Sequence, residues 1–326
     1  MADATAESAS IAPVHSARGA AASERYAFII MALALIVAPL AIYPFFLMQA
    51  ICFALFACAF NLLIGYVGLL SFGHAMFLGV AGYVSAHTAK VWGVNPEIAI
   101  LLAVLSSGAL GLIVGALVIR KQGIYFAMIT LALSQMVYFF CLQAPFTHGE
   151  DGIQSVPRGK LFGLIDLANQ TNCYIFVLVV FLAAFLLIHR AINSPFGEIL
   201  KAIRENEPRA ISLGYKTEHY KLIAFVLSAL LVGLAGGMKA IVAQNASLTD
   251  VHWTMSGEVV LMTLVGGLGT VFGPVVGAFV IIAMQTYLSS FGSWVTIIQG
   301  AIFVACVLAF RRGIVGELSR IIGKPL

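Results

Sequence analysis

The chain has 326 residues, of which 61% are hydrophobic and 10% are charged, and its formal net charge is +4. A mean hydropathy of +1.01 excludes an ordinary soluble globular chain. Apolar runs of about 18 or more residues recur, a length that crosses about 30 Å of hydrocarbon, and they do not alternate with polar residues as barrel strands do. The composition therefore predicts an all-α polytopic membrane protein.

Residues 1–26 are rich in Ala and Ser and include Arg25 just before the first apolar run. We interpret them as a mostly disordered cytoplasmic tail, because that run is too long for the core of a typical cleaved signal peptide. The five cysteines lie in or beside apolar runs and form no CxxC pair, so we interpret them as small hydrophobic residues, with no metal site or disulfide. They are Cys52, Cys58, Cys141, Cys173 and Cys306.

About ten transmembrane helices follow in chain order. The predicted spans are 27–47, 49–66, 69–89, 98–119, 124–143, 174–191, 222–243, 257–272, 273–290 and 294–310. They make up a transmembrane domain over residues 27–310, and residues 311–326 are predicted to be a cytoplasmic C-terminal tail.

Lys and Arg residues orient these spans, because they favour the cytoplasmic side of a membrane. An even number of spans puts both termini on one side. That side then collects 14 of the 18 Lys and Arg residues, and the other side holds only Lys90, Arg158 and Lys160. Lys239 falls inside a span. The distribution predicts that both termini are cytoplasmic.

The longest cytoplasmic loop, residues 192–221, contains nine of the 32 charged residues. Pro195 predicts the start of a helix, and Pro208 a break, with Asn206 or Glu207 capping a second short helix. Five Lys/Arg and four Glu are too balanced for a polybasic membrane anchor. A solvated loop and an ordered surface for a protein partner both remain compatible with the residues.

The stretch SPFGEILKAIRENEPRAISLGYKTEHYKLIAFVLSA (194–229) resembles the cytoplasmic coupling loop of ATP-binding-cassette (ABC) importer permeases. More narrowly, it resembles the M-type permeases of branched-chain amino-acid importers. Three further stretches agree: NLLIGYVGLLSFGHAMFLGVAGY (61–83), GIYFAMITLALSQM (123–136) and LVGGLGTVFGPVVGA (264–278). The resemblance covers roughly residues 27–316 in order.

The resemblance implies the ABC importer permease fold and a coupling loop that docks onto an ATPase subunit. The residues that would meet or shape this docking surface are Glu198, Lys201, Arg204, Glu205, Asn206, Pro208, Ala210 and Gly214. The chain has no GxxxxGK[ST] phosphate loop, HExxH or GxSxG motif. We therefore expect a transport subunit without enzymatic activity or a bound cofactor, with ATP and Mg²⁺ on the partner ATPase.

The pathway candidates are polar residues among the spans. Glycines are expected mainly to allow close helix packing, but a broken helix is expected over 65–74, where polar residues interleave with them. His74 is interpreted as a neutral structural histidine, with a proton-linked role as the alternative. A polar stripe on the fifth span either lines the pathway or bonds to other helices. The full set is Asn61, Tyr66, Ser71, His74, Thr130, Ser134, Gln135, Tyr138 and Glu258.

Three Asp, Glu, Lys or Arg residues fall inside the predicted spans: Arg190 at the cytoplasmic end of the sixth, and Lys239 and Glu258 near the outer ends of theirs. Lys239 is expected to extend towards water, and Glu258 to line an outer vestibule. The outer loop 143–172 resembles the family's loop that faces a solute-binding protein, although His148 stands where the family has a glycine; a plain connector is the alternative.

The resemblance therefore implies an inner-membrane permease subunit that works with an H-type sister permease, two ATPases and a periplasmic binding protein. Its predicted cargo is a branched-chain or related hydrophobic amino acid. The same machinery for urea, short amides or other small polar solutes is the first alternative. A stand-alone secondary carrier or channel is the second, but carriers usually need ion-binding groups near the midplane.

Overall fold

The computed structural model describes residues 15–288, 292, 294–309 and 313–322, and the described part is almost entirely helical. Its helices are α1 (His15–Val37), α2 (Pro44–Asn61), α3 (His74–Lys90), α4 (Pro96–Val118), α5 (Gly123–Gln143), α6 (Gln170–Ile192), α7 (Pro195–Glu205), α8 (Glu207–Ser212), α9 (Thr217–Ala243), α10 (Trp253–Gly266), α11 (Gly273–Leu288), α12 (Trp294–Ala309) and α13 (Gly313–Ile322). Four two-residue strands are β1 (Ile153–Gln154), β2 (Lys160–Leu161), β3 (Ile165–Asp166) and β4 (Asn245–Ala246).

Each of the ten predicted spans corresponds to one helix, α1–α6 and α9–α12. Five segments of the described part are long and apolar enough to cross a bilayer on their own. They are α2 with the turn that follows it, α4, α5, α6 and α9. An all-α polytopic membrane fold is confirmed.

The first span differs from its prediction at both ends. The prediction of one helix over 27–47 is wrong, because α1 ends at Val37 and α2 begins at Pro44. Pro39 lies in the short 3₁₀ turn that separates them, and proline does not continue a helix smoothly. At its other end α1 begins at His15, so residues 15–26 of the predicted disordered tail are helical; residues 1–14 lie outside the described part.

The C-terminal segment that follows the last span contains a helix. Helix α13 contacts α10 and α11, and Val315 on it is buried. A Cβ atom at Gly313 would lie 2.4 Å from the Cα of Gly267, so the two backbones touch. The segment 311–326, predicted as a tail, therefore includes a packed helix.

Helix α2 lies at the centre of the molecule, where it contacts α6, α9, α10 and α11. Almost all of its side chains are buried. Lipid tails are as apolar as leucine, so helices in a membrane associate through close packing rather than through the hydrophobic effect. Glycines provide that packing between α4 and α9: a Cβ atom at Gly108 would lie 2.3 Å from Leu230, and one at Gly111 would lie 2.5 Å from Ala229.

The connections between helices lie at two opposite ends of the molecule. The end that carries α7 and α8 also holds the α4–α5 connection, because Arg120 pairs with Glu218 at 3.5 Å; we call it the coupling end. The opposite end carries the loop 144–169, whose strand β1 pairs with β4 after α9. In this loop His148 adopts a left-handed conformation with φ 60°, which explains why a glycine suits that position.

Candidate coupling and translocation site

The helix that begins as α2 is broken before α3 starts. Its last turn, Leu62–Val67, is a π-helix that ends at Gly68 with φ 82°. Residues 68–73 are not helical, and the Oγ of Ser71 accepts a hydrogen bond from the backbone N–H of Gly73 at 3.2 Å. A π-turn disturbs the regular backbone ladder and is frequent at functional sites. The predicted broken segment at 65–74 is therefore confirmed.

A second break separates α10 from α11. The chain turns at Gly267 and Gly269, both with positive φ, before α11 starts at Gly273. Thr270 holds this turn: its Oγ1 donates to the carbonyl of Gly267 at 2.8 Å and accepts from the N–H of Gly273 at 3.1 Å. The predicted eighth span, 257–272, thus ends six residues early, because the last six residues form this glycine-rich turn.

Asn61 joins the two breaks. Its Nδ2 donates to the carbonyl of Thr270 at 2.9 Å, and its Oδ1 accepts from the N–H of Gly269 at 3.1 Å. Asn61 is buried, so both bonds satisfy backbone groups that no regular helix pairs. Asn61 is predicted as a pathway residue, but in the structure its side-chain amide bonds to the backbone of the second break.

Arg204 connects helix α7 to the same place. One guanidinium nitrogen donates to the carbonyl of Gly65, inside the π-turn. A Cβ atom at Gly68 would lie 3.1 Å from the Arg204 Cγ, and one at Gly269 would lie 3.3 Å from its Nη1. The arginine therefore touches both breaks and connects the charged loop to the membrane helices by direct contact.

Glu207 holds the second loop helix in place. Its Oε2 accepts from Lys221 Nζ at 2.5 Å and from Gln122 Nε2 at 2.7 Å, and its Oε1 accepts from Thr217 Oγ1 at 3.0 Å. The Lys221 side chain is only 3% exposed. One carboxylate thus ties α8 to the start of α9 and to the segment before α5. A cavity of about 380 Å³ opens beside it, lined also by Arg204.

The loop helices form where proline and capping residues place them. Helix α7 starts at Pro195, and α8 starts after Asn206, whose side chain accepts from the N–H of Arg209 at 3.0 Å. Gly214 follows with φ 90°. The two predicted helices and the cap at Asn206 are confirmed.

The remaining predicted coupling residues divide into exposed and buried positions. Glu198 and Lys201 form an exposed pair at 2.8 Å, and Glu205 and Pro208 are exposed. Ala210 is buried against the rest of the chain, so its side chain is not part of the free surface, contrary to the expectation that it meets a partner.

His74 is enclosed at the start of α3. Its Nε2 lies 3.0 Å from Ser228 Oγ, and the rings of Phe60, Phe77 and Phe225 meet the imidazole edge-on at 5.1 to 5.8 Å between centroids. The side chain is fully buried. This environment favours the structural interpretation of His74 over a proton-linked one.

The polar stripe on α5 is divided between helix contacts and surface. Thr130 is buried, and its Oγ1 accepts from the N–H of Phe72 at 3.2 Å, which fixes the broken segment against α5. Ser134 is buried, and its Oγ has no hydrogen-bond partner among the described residues. Gln135 and Tyr138 are half-buried, and Tyr138 packs edge-on against His252.

The other candidates lie apart from the coupling link. Tyr66 is buried in the π-turn. Glu258 on α10 accepts from Gln285 Nε2 on α11 at 2.9 Å. Lys239 was expected to extend towards water. Instead, it pairs with Asp250, a residue in the turn after β4. Sequence reasoning missed three contacts. Asp250 and Glu207 lie outside the predicted spans and bond to residues of other segments. Thr270 lies inside the predicted eighth span, where the turn that it holds was not expected.

Comparisons with known proteins identify the family. The family model described as "Branched-chain amino acid transport system / permease component" matches residues 42–307. The chain belongs to this family. The match takes in both breaks, the coupling loop and nearly all of the membrane helices.

Curated relatives agree with the family match. The chain is 26% identical over 278 residues to the high-affinity branched-chain amino acid transport system permease protein LivM of Salmonella typhimurium, and 25% identical over 277 residues to that of Escherichia coli. Each alignment covers 78% of this chain, which spans about 65% of either relative's length. A probable LivM of Methanocaldococcus jannaschii is 24% identical over 265 residues, covering 70% of this chain and 76% of that protein. No solved structure matches the chain.

Proposed function

We propose that this permease is the M-type subunit of an ATP-driven ABC importer in a bacterial inner membrane. An H-type sister permease would complete the translocation pathway, two ATPase subunits would bind the coupling end, and a periplasmic binding protein would deliver branched-chain or related hydrophobic amino acids to the opposite end. ATP and Mg²⁺ then belong to the ATPases. The family match and the relatives' printed functions support this proposal.

The observation that carries the proposal is the bond from Arg204 to the carbonyl of Gly65. An ATPase subunit that moves α7 would also move the π-turn, because Arg204 bonds the two. Asn61 passes the displacement to the turn between α10 and α11. Two helices that are already broken bend at lower cost than regular helices, so movement of α7 would act on backbone that can change its course.

The coupling end offers an apolar surface for a soluble partner. Ile211, Leu213 and Tyr215 are exposed in and beside α8, and Leu213 is 69% exposed. An adjacent groove of about 500 Å³ is lined by Gly214, Tyr215 and His219, among others. Exposed apolar patches rimmed by charge are typical of protein interfaces. The interpretation of the loop as an ordered partner surface is therefore favoured over a solvated connector.

The orientation in this proposal follows the Lys and Arg bias, with α7, α8 and both termini in the cytoplasm. The binding protein would then meet the loop 144–169. That loop is fastened to the end of α9 by the β1–β4 pair, by Lys90 Nζ donating to the carbonyl of Gln154 at 2.7 Å, and by Arg158 donating to the carbonyl of Val242 at 3.0 Å. Docking at this loop would act directly on the outer end of the membrane helices.

The proposed function is tested by purifying the tagged chain from native membranes and identifying the proteins that accompany it. We expect a second permease and an ATPase with the wild type. Leu213→Asp places a charge on the proposed docking patch, and we expect it to remove the ATPase while the second permease stays. Leu164→Asp is the matched control, because Leu164 is 88% exposed at the opposite end.

A chain that is purified alone, and that moves solute across vesicles equally well without ATP, would contradict the proposal and support a secondary carrier. Retention of the ATPase by Leu213→Asp would contradict the assignment of the docking patch. Uptake of urea or acetamide, with no uptake of leucine, would support the ABC importer but contradict the proposed amino-acid substrate.

A further inference from the structure

A cavity of about 390 Å³ lies at the end opposite to the coupling loop. It is formed where the start of α2, the end of α9, the start of α10 and the end of α11 come together. Its lining includes Phe45, Phe53, Lys239, Asp250, Met255 and Ile282. The volume falls within the range of about 300–1,000 Å³ that is usual for small-molecule sites. No function assigned so far uses this cavity.

The charged part of the lining is an ion pair, beside uncharged polar residues that include Gln49, Asn245 and Gln285. Lys239 bonds to Asp250 Oδ1, and the two side chains are only 12% and 10% exposed. The Lys239 ammonium also lies 5.5 Å from the ring centroid of Phe53, a cation–π distance. Burying two charges carries a desolvation cost that their attraction barely offsets, so such a pair is weak evidence for a stabilising role. A ligand that needs both charges would explain its position in a cavity wall.

Both members of the pair have bonding capacity left for a ligand. An ammonium group has three N–H donors, and a carboxylate has two acceptor oxygens; the mutual bond uses one of each. A second acid lies close behind the wall, because Gln285, which lines the cavity, donates to Glu258 at 2.9 Å. The cavity thus offers one cation and an acidic region a short distance apart.

The apolar part of the lining faces the same space. Phe45, Phe53, Met255 and Ile282 provide aromatic and aliphatic surface. Phenylalanine and isoleucine side chains give the apolar wall a fixed shape, whereas the flexible methionine side chain adapts to ligands of slightly different shape. This combination suits a ligand with opposite charges at one end and a branched aliphatic group at the other.

We propose that this cavity is a reception site for a free zwitterionic amino acid on its way into the pathway. Lys239 binds the α-carboxylate, Asp250 binds the α-ammonium, and Phe45, Phe53, Met255 and Ile282 contact the aliphatic side chain. The proposal rests on the proposed function, since it deepens the choice of substrate. It assigns the selection of zwitterion over neutral amide to this chain, in addition to any selection by a binding protein.

The position of Asp250 connects the site to the outer loop. Asp250 ends the 3₁₀ turn Leu248–Asp250, which directly follows β4, the strand that pairs with β1. A protein that docks on the loop can therefore act, through the β1–β4 pair, on the segment that carries one of the two ligand-binding charges. Movement of that segment would open the ion pair at the moment of delivery and close it again behind the ligand.

The test is saturation-transfer NMR on the purified complex in nanodiscs, without a binding protein, because this method detects weak ligands. The probes are leucine, leucinol, which lacks the carboxylate, and 4-methylpentanoate, which lacks the amine. We expect a leucine signal that excess isoleucine displaces. Leucinol and 4-methylpentanoate should each bind at least about tenfold more weakly, because each loses a charge-assisted bond.

Variants separate the site from other leucine contacts. Lys239→Gln combined with Asp250→Asn removes both charges together, which avoids an uncompensated buried ion, and we expect it to lose the leucine signal. Lys160→Gln, exposed on the same end, should keep it. Wild-type selectivity among the three probes remains a test even if the double variant does not fold.

Equal binding of leucine and leucinol, or a leucine signal that survives in the folded double variant, would overturn the site. Either result would leave the proposed function intact as long as the complete transporter still takes up leucine with ATP. Absence of ATP-dependent uptake in the complete wild-type transporter would instead refute the proposed function itself.

Discussion

Substituting Gly65 by alanine tests the contact between the two broken segments. An added Cβ atom would lie 2.3 Å from the Oδ1 of Asn61 and 2.9 Å from the backbone nitrogen of Gly269. The first atom belongs to a side chain that already bonds the second break, and the second belongs to the backbone. Neither can move away without separating the two segments.

The expected cost follows from these contacts. Forcing a methyl group into a packed site costs about 1–3 kcal/mol, and each Asn61 bond that is lost adds about 1 kcal/mol. Gly82→Ala is the matched control, since its Cβ atom would meet only the carbonyl of Gly236 at 3.7 Å, an ordinary contact. We expect Gly65→Ala to lower both the melting temperature and ATP-dependent uptake, and Gly82→Ala to change neither.

The assay is thermal unfolding of the purified complex, paired with uptake of labelled leucine into vesicles. Equal behaviour of the two variants in both measurements would refute the reasoning, because it would show that the segments are not in tight contact. A drop in stability without a drop in uptake would show that the contact is structural and takes no part in transport.

Three further predictions address the link and its supports. Arg204→Met removes the bond to the Gly65 carbonyl, so we expect leucine uptake per ATP hydrolysed to fall about tenfold while the ATPase remains bound; Lys201→Met, which removes an exposed charge of the same helix, should preserve that ratio. Glu207→Gln leaves the buried Lys221 without its anion, and we expect a loss on the order of 3 kcal/mol in stability, measured as a lower melting temperature. Asn61→Leu removes both bonds to the second break and should reduce uptake without releasing the ATPase.

Each of these predictions has an outcome that contradicts it. An unchanged ratio of leucine uptake to ATP hydrolysis in Arg204→Met would show that Arg204 does not couple the two. A melting temperature of Glu207→Gln equal to the wild type would mean that Lys221 finds another partner. Wild-type uptake by Asn61→Leu would show that the two breaks move independently.

The helices were predictable because membrane spans depend on length and apolarity, which are local properties of the sequence. Ten predicted spans correspond to ten helices. The errors lie where proline or glycine interrupts an apolar run. Pro39 lies in the turn that ends α1 early, and Pro44 starts α2 inside the same run. The glycines after α10 turn the chain inside another run. Helices α7 and α8 were equally predictable from the sequence, because proline and a capping asparagine mark their starts.

The direction of individual side chains was not predictable. Spacing alone puts Arg204 on the charged loop surface, whereas the structure turns it towards Gly65, 139 residues earlier in the chain. Lys239 has no acidic residue in its own helix turn, and its partner Asp250 becomes available only when the chain folds back after β4. Pairings of this kind depend on tertiary contacts, and the sequence carries no local signal for them.

The most direct test of the central claim is uptake of labelled leucine by vesicles that contain the complete complex, with binding protein and either ATP or ADP supplied to the ATPases. We expect uptake with ATP only, and we expect Leu213→Asp to reduce it to the ADP level. Leucine uptake that is equal with ATP and ADP, or unaffected by Leu213→Asp, would contradict the claim that this permease is driven through α7 and α8.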